Sequence, residues 1–197
     1  FKSETEEVDH IYLTETEIRM IWKLDLSEEP ALDRIRDLMI IGCETGLRFS
    51  DFSKLKPGHI QDKFIRIRTR KTNKSVVIPI STLLREVLDK YDNQPPTTYL
   101  QEFNEQVKVI SELAGLDEEV IVSHKRGTEI HEETFKKYEL ISSHTCRRSF
   151  CTNQFYKGMP TLLIRKISGH KTESAFLRYI KIDEEAAAIR LLELWNK

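Results

Sequence analysis

The spacing of apolar residues changes period several times along this chain. Ile18, Ile21, Trp22 and Leu24 recur at helical intervals behind Thr14-Glu15-Thr16-Glu17, which has the form of a capping box, and predict a helix over 14–27. Pro30 suits a first helical turn. Leu32, Ile35, Leu38, Met39 and Ile41 then carry a second helix to about Cys43, closed by the stretch from Gly42 to Gly46. A short helix around 49–55 should stop before the turn signal Pro57-Gly58. The period then falls to two, with Phe64, Ile65 and Ile67 among Lys63, Arg66 and Arg68, and with Val and Ile dominating 75–80. With Thr72-Asn73 between them, these runs predict a β-hairpin with a basic tip. Helices are expected over 81–91 and 99–115, flanking a turn at Pro95-Pro96. Val120-Ile121-Val122 reads as a short strand, Arg126-Gly127-Thr128 as a turn, and 129–139 fits no single period, a second hairpin being one option. From Thr145 the helical period returns over 145–157, 160–168, 172–180 and 183–196, punctuated by Gly158-Met159-Pro160 and Gly169. The expected fold class is mainly α with a small antiparallel β-sheet (α+β), in a single domain spanning 1–197.

Composition narrows the setting. A chain of 197 residues with 39% hydrophobic positions, 7 Gly and 6 Pro has the apolar material of a compact domain, not of a disordered or collagen-like chain. No run approaches the ~18 apolar residues of a membrane-spanning helix, and the acidic first twenty residues do not resemble a targeting signal. Cys43, Cys146 and Cys151 are an odd set without CxxC spacing, which predicts neither a disulfide framework nor a zinc ribbon. The six His are scattered and no P-loop is present, so no metal and no cofactor are expected. These features together predict a cytoplasmic protein without membrane contact. Because the sequence starts at Phe1 without an initiator Met, it is expected to be a fragment of a longer protein.

Net charge at first argues against a nucleic-acid partner, since 31 Lys+Arg oppose 32 Asp+Glu for a total of −1. The total hides large local terms. Residues 1–33 carry −7, 54–74 carry +7, 75–135 carry −7 and 136–178 carry +7. Two basic blocks brought together by the fold would make a face able to track a phosphate backbone; on unrelated faces they would be ordinary solvated surface.

Three clusters carry candidate chemistry: Thr45-Gly46-Leu47-Arg48-Phe49-Ser50-Asp51, then His144-Thr145-Cys146-Arg147-Arg148-Ser149-Phe150, then Gly169-His170-Lys171 with Tyr179 nine positions after His170. Each alone reads as structure: a capping cation, a surface pair on a helix, a half-buried tyrosine. In this order and at these intervals they resemble the tyrosine recombinase (phage integrase) family, over about Thr14 to Leu194. That resemblance implies the family's catalytic-domain fold and, residue by residue, Arg48, His144, Arg147, His170 and the nucleophile Tyr179. It also implies Lys71 on the hairpin, in Thr69-Arg70-Lys71-Thr72-Asn73-Lys74 ahead of Val77-Ile78-Pro79-Ile80, with Lys74 as its competitor.

The chemistry explains those residue types. A phosphodiester repels nucleophiles and gathers charge on its non-bridging oxygens as the transition state forms, and guanidinium forks absorb that charge. The resemblance makes Arg48 and Arg147 the clamp, His170 a further donor, His144 the base-like member and Lys71 the acid for the leaving 5′-oxygen. A tyrosine hydroxyl with an ordinary pKa near ~10 needs such help to attack. Asp51 is expected to orient Arg48 or His144. Arg70, Lys74, Arg148 and Lys171 are candidate DNA contacts, with Arg148 either touching a flanking phosphate or facing solvent.

Two positions depart from the family pattern: Ser168 stands where an apolar Leu is common, and Lys181 where His is frequent. The apolar tail over 183–197 is expected to form a helix that docks on a neighbouring subunit or folds back on its own domain. The resemblance further implies double-stranded DNA as partner, a monomer in solution assembling into a homotetramer on synapsed DNA, a nucleoid location when bound, and a core-binding domain N-terminal to this part. Type IB topoisomerase-like relaxation and a DNA-binding protein without catalysis remain as alternatives.

Overall fold

The computed structural model describes residues 11–126 and 129–180, with Ala188, Leu191, Leu192 and Trp195 of the tail. Helix α1 (Glu15–Trp22) opens on the expected capping box: Thr14 Oγ1 accepts from Glu17 N–H at 3.3 Å, and Glu17 Oε2 accepts from Thr14 N–H at 2.7 Å. It stops at Trp22, short of the predicted 27. The cause is Arg36 of helix α2 (Pro30–Thr45), whose guanidinium donates to the carbonyls of Trp22 (3.4 Å) and Leu24 (2.8 Å) and so takes over acceptors at the helix end. Arg36 is itself buried and neutralised by Asp33 and Asp37 of its own helix.

Helix α2 is the central rod, buried without a break from Ile35 through Cys43. It crosses helix α7 (Ser143–Tyr156) at Gly42, where an added Cβ would lie 3.0 Å from Cys146 Cβ and 3.1 Å from the Phe52 ring. This close crossing sets the C-terminal end of α2, and hence Arg48 just beyond it, beside the first turns of α7. Gly46 ends α2 in the left-handed region, with φ +63°. A Cβ there would fall 2.3 Å from Phe150 Cδ1. Gly46→Ala combines a strained backbone with an overpacked ring and should lower stability by about 3 kcal/mol, read as a fall in the denaturation midpoint in urea.

Strands β1 (Ile60–Gln61), β2 (Phe64–Arg68) and β3 (Ser75–Pro79) form an antiparallel sheet in that order, with Ile65 opposite Ile78 and Arg68 opposite Ser75. The alternation seen in the sequence is the reason: Ile65, Val76 and Ile78 are buried, while Phe64 and Val77 face outward. The hairpin tip is knotted by Thr69, whose N–H donates to Lys74 O (2.9 Å) and whose carbonyl accepts from Asn73 N–H (2.8 Å). Asn73 takes φ 54°, a conformation Asn tolerates.

Short helix α3 (Phe49–Phe52) follows Arg48 and joins Phe103 of helix α5 (Leu100–Leu113) in an aromatic cluster, while α4 (Thr82–Lys90) covers the other side of α2. The region that fits no single period forms a long two-stranded hairpin, β4 (Glu119–Arg126) and β5 (Glu129–Lys136), with Val120 opposite Phe135. Helix α6 (Lys137–Leu140) leads from it into α7. Helices α8 (Thr161–Ser168) and α9 (Glu173–Leu177) pack on a second small core of Phe150, Cys151, Ile164 and Phe176. Residues 11–13 are clasped by α7: Ser149 Oγ accepts from Leu13 N–H (2.8 Å), Asn153 donates to Leu13 O (3.0 Å) and Arg148 donates to Ile11 O (2.8 Å). The three cysteines are buried free thiols. No helix among the described residues is long and apolar enough to cross a membrane.

The predicted turn at 126–128 lies partly outside the described residues, as does most of the predicted helix over 183–196. Its described positions Ala188, Leu191, Leu192 and Trp195 are helical and exposed.

Candidate active site

Arg48, Lys71, His144, Arg147, His170 and Tyr179, scattered over more than 130 positions of sequence, line one cavity of about 600 Å³. Each arrives on a different support. Arg48 is the N-cap of α3 and is held by its own carbonyl, which accepts from Asp51 N–H (2.8 Å) and Phe52 N–H (2.9 Å). Lys71 projects from the β2–β3 tip. His144 and Arg147 share the first turns of α7, which is fixed by Asn104 Oδ1 accepting from Ser143 N–H at 2.9 Å. His170 follows Gly169, the left-handed cap of α8, and Tyr179 follows α9.

Arg147 is 1% exposed and fully engaged on one side: Nη1 donates to Gly46 O and Ser168 O, each at 2.6 Å, and Nε donates to His170 Nε2 at 3.3 Å. On the other side Arg147 Nη2 is buried without a hydrogen-bond partner, and so is Arg48 Nη1. Burial, followed by the nearby Arg48 charge, pushes the Arg147 guanidinium down to about 10, so it is still cationic at neutral pH. No carboxylate lines the cavity among the described residues. Two cations with buried, unanswered N–H groups form a site whose missing partner is an anion.

The Tyr179 hydroxyl lies 3.3 Å from His144 Nδ1. Its ring sits under the Arg147 guanidinium at 5.3 Å and against the His170 ring at 4.8 Å. Loss of solvation, reinforced by Arg148, Arg147, Arg48 and Lys71, holds His144 below the ordinary histidine range. An imidazole kept neutral beside a phenol is suited to take its proton.

Two expectations for supporting residues need correction. Asp51 orients neither Arg48 nor His144. Its Oδ1 accepts from Arg70 N–H at 2.8 Å, which ties the hairpin tip to α3, and its Oδ2 has no partner. Arg148 does not face solvent. It is 7% exposed and bound to Ile11 O, so it acts on the site through its field. Arg70 is exposed with its backbone spent on Asp51, whereas Lys74 and Lys171 line a neighbouring basic groove with Arg165 and Lys166. Sequence reasoning missed Leu100 and Arg178 in the cavity wall. Arg178 precedes Tyr179 directly and could have been suspected; Leu100 carries no signal in the sequence.

The two basic blocks therefore meet. Lys71 comes from the first and Arg147, Lys171 and Arg178 from the second, all around the Tyr179 hydroxyl. Comparison with known proteins decides the family, because the phage integrase family model matches residues 12–186. The chain belongs to the phage integrase family. Among integrase-family relatives, the tyrosine recombinase XerD of Chlamydia muridarum is 28% identical over 142 residues, which is 72% of this chain and 46% of XerD. The chain thus spans about half the length of the curated relatives it matches. The crystal structure of XerA recombinase superposes with a TM-score of 0.68 at 16% identity, covering 93% of this chain and 64% of that one. The XerH recombinase bound to palindromic difH substrate, in a post-cleavage complex, superposes at 0.61 with 18% identity, covering 94% and 53%. These likenesses show the integrase catalytic fold that the resemblance implied, within the mainly α class expected from the helical and hairpin pattern.

Proposed function

We propose that this chain is the catalytic domain of a site-specific recombinase that cuts and rejoins double-stranded DNA through a covalent 3′-phosphotyrosine, in integration or excision of a mobile element. The observation that carries this reading is the Tyr179 hydroxyl beside a neutral His144 and facing two arginines with unanswered buried N–H groups. Tyr179 Oη attacks the phosphorus while its proton passes to His144 Nδ1. Arg48, Arg147 and His170 hold the non-bridging oxygens as charge builds. The bond to the 5′-oxygen breaks, and Lys71 on the hairpin tip supplies that oxygen with a proton. Because the phosphotyrosine keeps the ester, a free 5′-hydroxyl attacks it in the reverse sense and reseals DNA without ATP.

The test is a duplex carrying the element's end, nicked near the cleavage position so that the short fragment diffuses away. A covalent protein–DNA adduct surviving denaturation supports the reading; an enzyme that forms none on such duplexes refutes it. The rate of that reaction should also depend on pH with a defined sign. The base must be neutral and His144 is held below the ordinary value of 6.5, so the acid limb of the rate profile should fall at a pH below 6.5. A His144→Asn variant should lose that limb along with most of its rate.

Exchange joins two duplexes, four strands in all, and each chain carries one Tyr179. The active assembly is therefore read as a homotetramer on synapsed DNA built from monomers, with the exposed Leu191, Leu192 and Trp195 of the tail covered by a neighbouring subunit. Sedimentation with and without DNA measures this. Binding through Lys74, Arg70 and Lys171 to phosphates would fall steeply with salt.

A further inference from the structure

The departure at Ser168 acquires a role from its surroundings. Ser168 is fully buried at the last turn of α8, two residues before His170. Its hydroxyl donates to Ile164 O at 2.6 Å, a partner that can only accept. A serine has one proton to give, so toward His170 Nδ1, 2.8 Å away, the same oxygen accepts. The proton of the ring therefore lies on Nδ1. The other face of the ring agrees, since His170 Nε2 accepts from Arg147 Nε–H at 3.3 Å and must hold a lone pair there. Burial, then Arg147, Arg48 and Arg165, push His170 down to about 3, so the ring is neutral as well as fixed in one tautomer. Around it stand the Tyr179 and Phe176 rings.

This tautomer is the wrong one for giving a hydrogen bond to phosphate. His170 lines the cavity with the guanidinium pair, yet in this arrangement its Nε2 has no hydrogen to offer. We propose that Ser168 is a positioning residue that switches the tautomer of His170, holding the proton on Nδ1 in the free protein and on Nε2 once a phosphodiester occupies the cavity. The inference rests on the reading of His170 as a phosphate-facing group. The switch needs a rotation of the Ser168 hydroxyl, a shift of the Arg147 Nε–H and a proton exchange with water. The Ser168 hydroxyl turns from Ile164 O to Nδ1 and becomes the donor there, while Arg147 Nε–H leaves Nε2 for a phosphate oxygen. One proton passes from Nδ1 to water and one from water to Nε2, so the ring stays neutral and the balance is zero. A leucine at 168 could neither accept from Nδ1–H nor donate to Nδ1, and would leave the buried ring nitrogen without a partner in either state.

The experiment reads the proton directly. In protein labelled with ¹⁵N-histidine, with the His170 signals assigned by a His170→Gln variant, the free protein should show the Nδ1–H tautomer. Titration with dimethyl phosphate, a phosphodiester without sequence, should convert it to Nε2–H. A free protein already in the Nε2–H form, or one that keeps Nδ1–H at saturating dimethyl phosphate, overturns the proposal. In the nicked-duplex reaction Ser168→Ala should cut the single-turnover cleavage rate about fivefold to tenfold with DNA affinity unchanged, the scale of one lost hydrogen bond. Ser168→Thr, confirmed folded by its thermal melt, should restore it. An alanine variant that cleaves within twofold of the parent also overturns the proposal. If the parent protein itself forms no adduct on DNA, the recombinase reading fails, and the two tautomer measurements still decide the role of Ser168.

Discussion

Tyr179→Phe should abolish the covalent adduct, lowering its rate of formation by about 10³-fold or more, while leaving DNA binding and folding intact. The variant removes one oxygen. The phenylalanine ring keeps the packing against His170 at 4.8 Å and under the Arg147 guanidinium at 5.3 Å, and loses only the contact with His144 Nδ1 at 3.3 Å. A denaturing gel of the nicked-duplex reaction reads the adduct, and a mobility shift at matched salt reads binding. Were the adduct to persist in the Phe variant, the nucleophile would lie elsewhere. Were binding to collapse with it, the hydroxyl would be serving the ground state as well as the reaction.

Arg147→Lys should be nearly as damaging to rate and far more damaging to the fold. The guanidinium does three things from one plane: Nη1 holds Gly46 O and Ser168 O, Nε meets His170, and Nη2 is left for the anion. A lysine ammonium keeps the charge but is a single point at the end of a flexible stem, and it cannot hold the two carbonyls and the phosphate together. Cleavage should fall by about 10²- to 10³-fold, the usual scale for removing one preorganised donor to a charged transition state. Stability should drop by about 2 kcal/mol, because two buried carbonyls lose their shared donor. Single-turnover cleavage and urea denaturation on the same preparation check both.

Much of the site is legible through the family resemblance. Three clusters and a basic hairpin tip carry the resemblance that implies six of the lining residues, although each cluster alone reads as structure. Helices α2, α5 and α7 are legible for a different reason, as long amphipathic or buried runs bounded by Pro30, Gly46 and Gly158. The β4–β5 hairpin is harder to read. Its strands pair only with each other and, apart from Val122, its described side chains are not buried, so no apolar alternation marks them. The partners of Asp51 and Arg148 are illegible in principle. Arg70 lies 19 positions from Asp51 and Ile11 lies 137 from Arg148, and only the fold brings them together. Ser168 stands out in the sequence as an exception, and the reason for it is three-dimensional: its hydroxyl sits between Ile164 O and His170.

The clasp of residues 11–13 by Ser149, Asn153 and Arg148 joins positions 136 to 140 apart. Such closures are the slowest contacts for a chain to make. In the order of synthesis, Arg48 and Lys71 are made well before His144, Arg147, His170 and Tyr179. Helix α7, which completes the arginine pair and fastens residues 11–13, follows Arg48 and Lys71, and Tyr179 comes later still. If Tyr179 is the nucleophile proposed above, a chain still being made cannot cleave DNA until the segments that would hold the broken end are already in place.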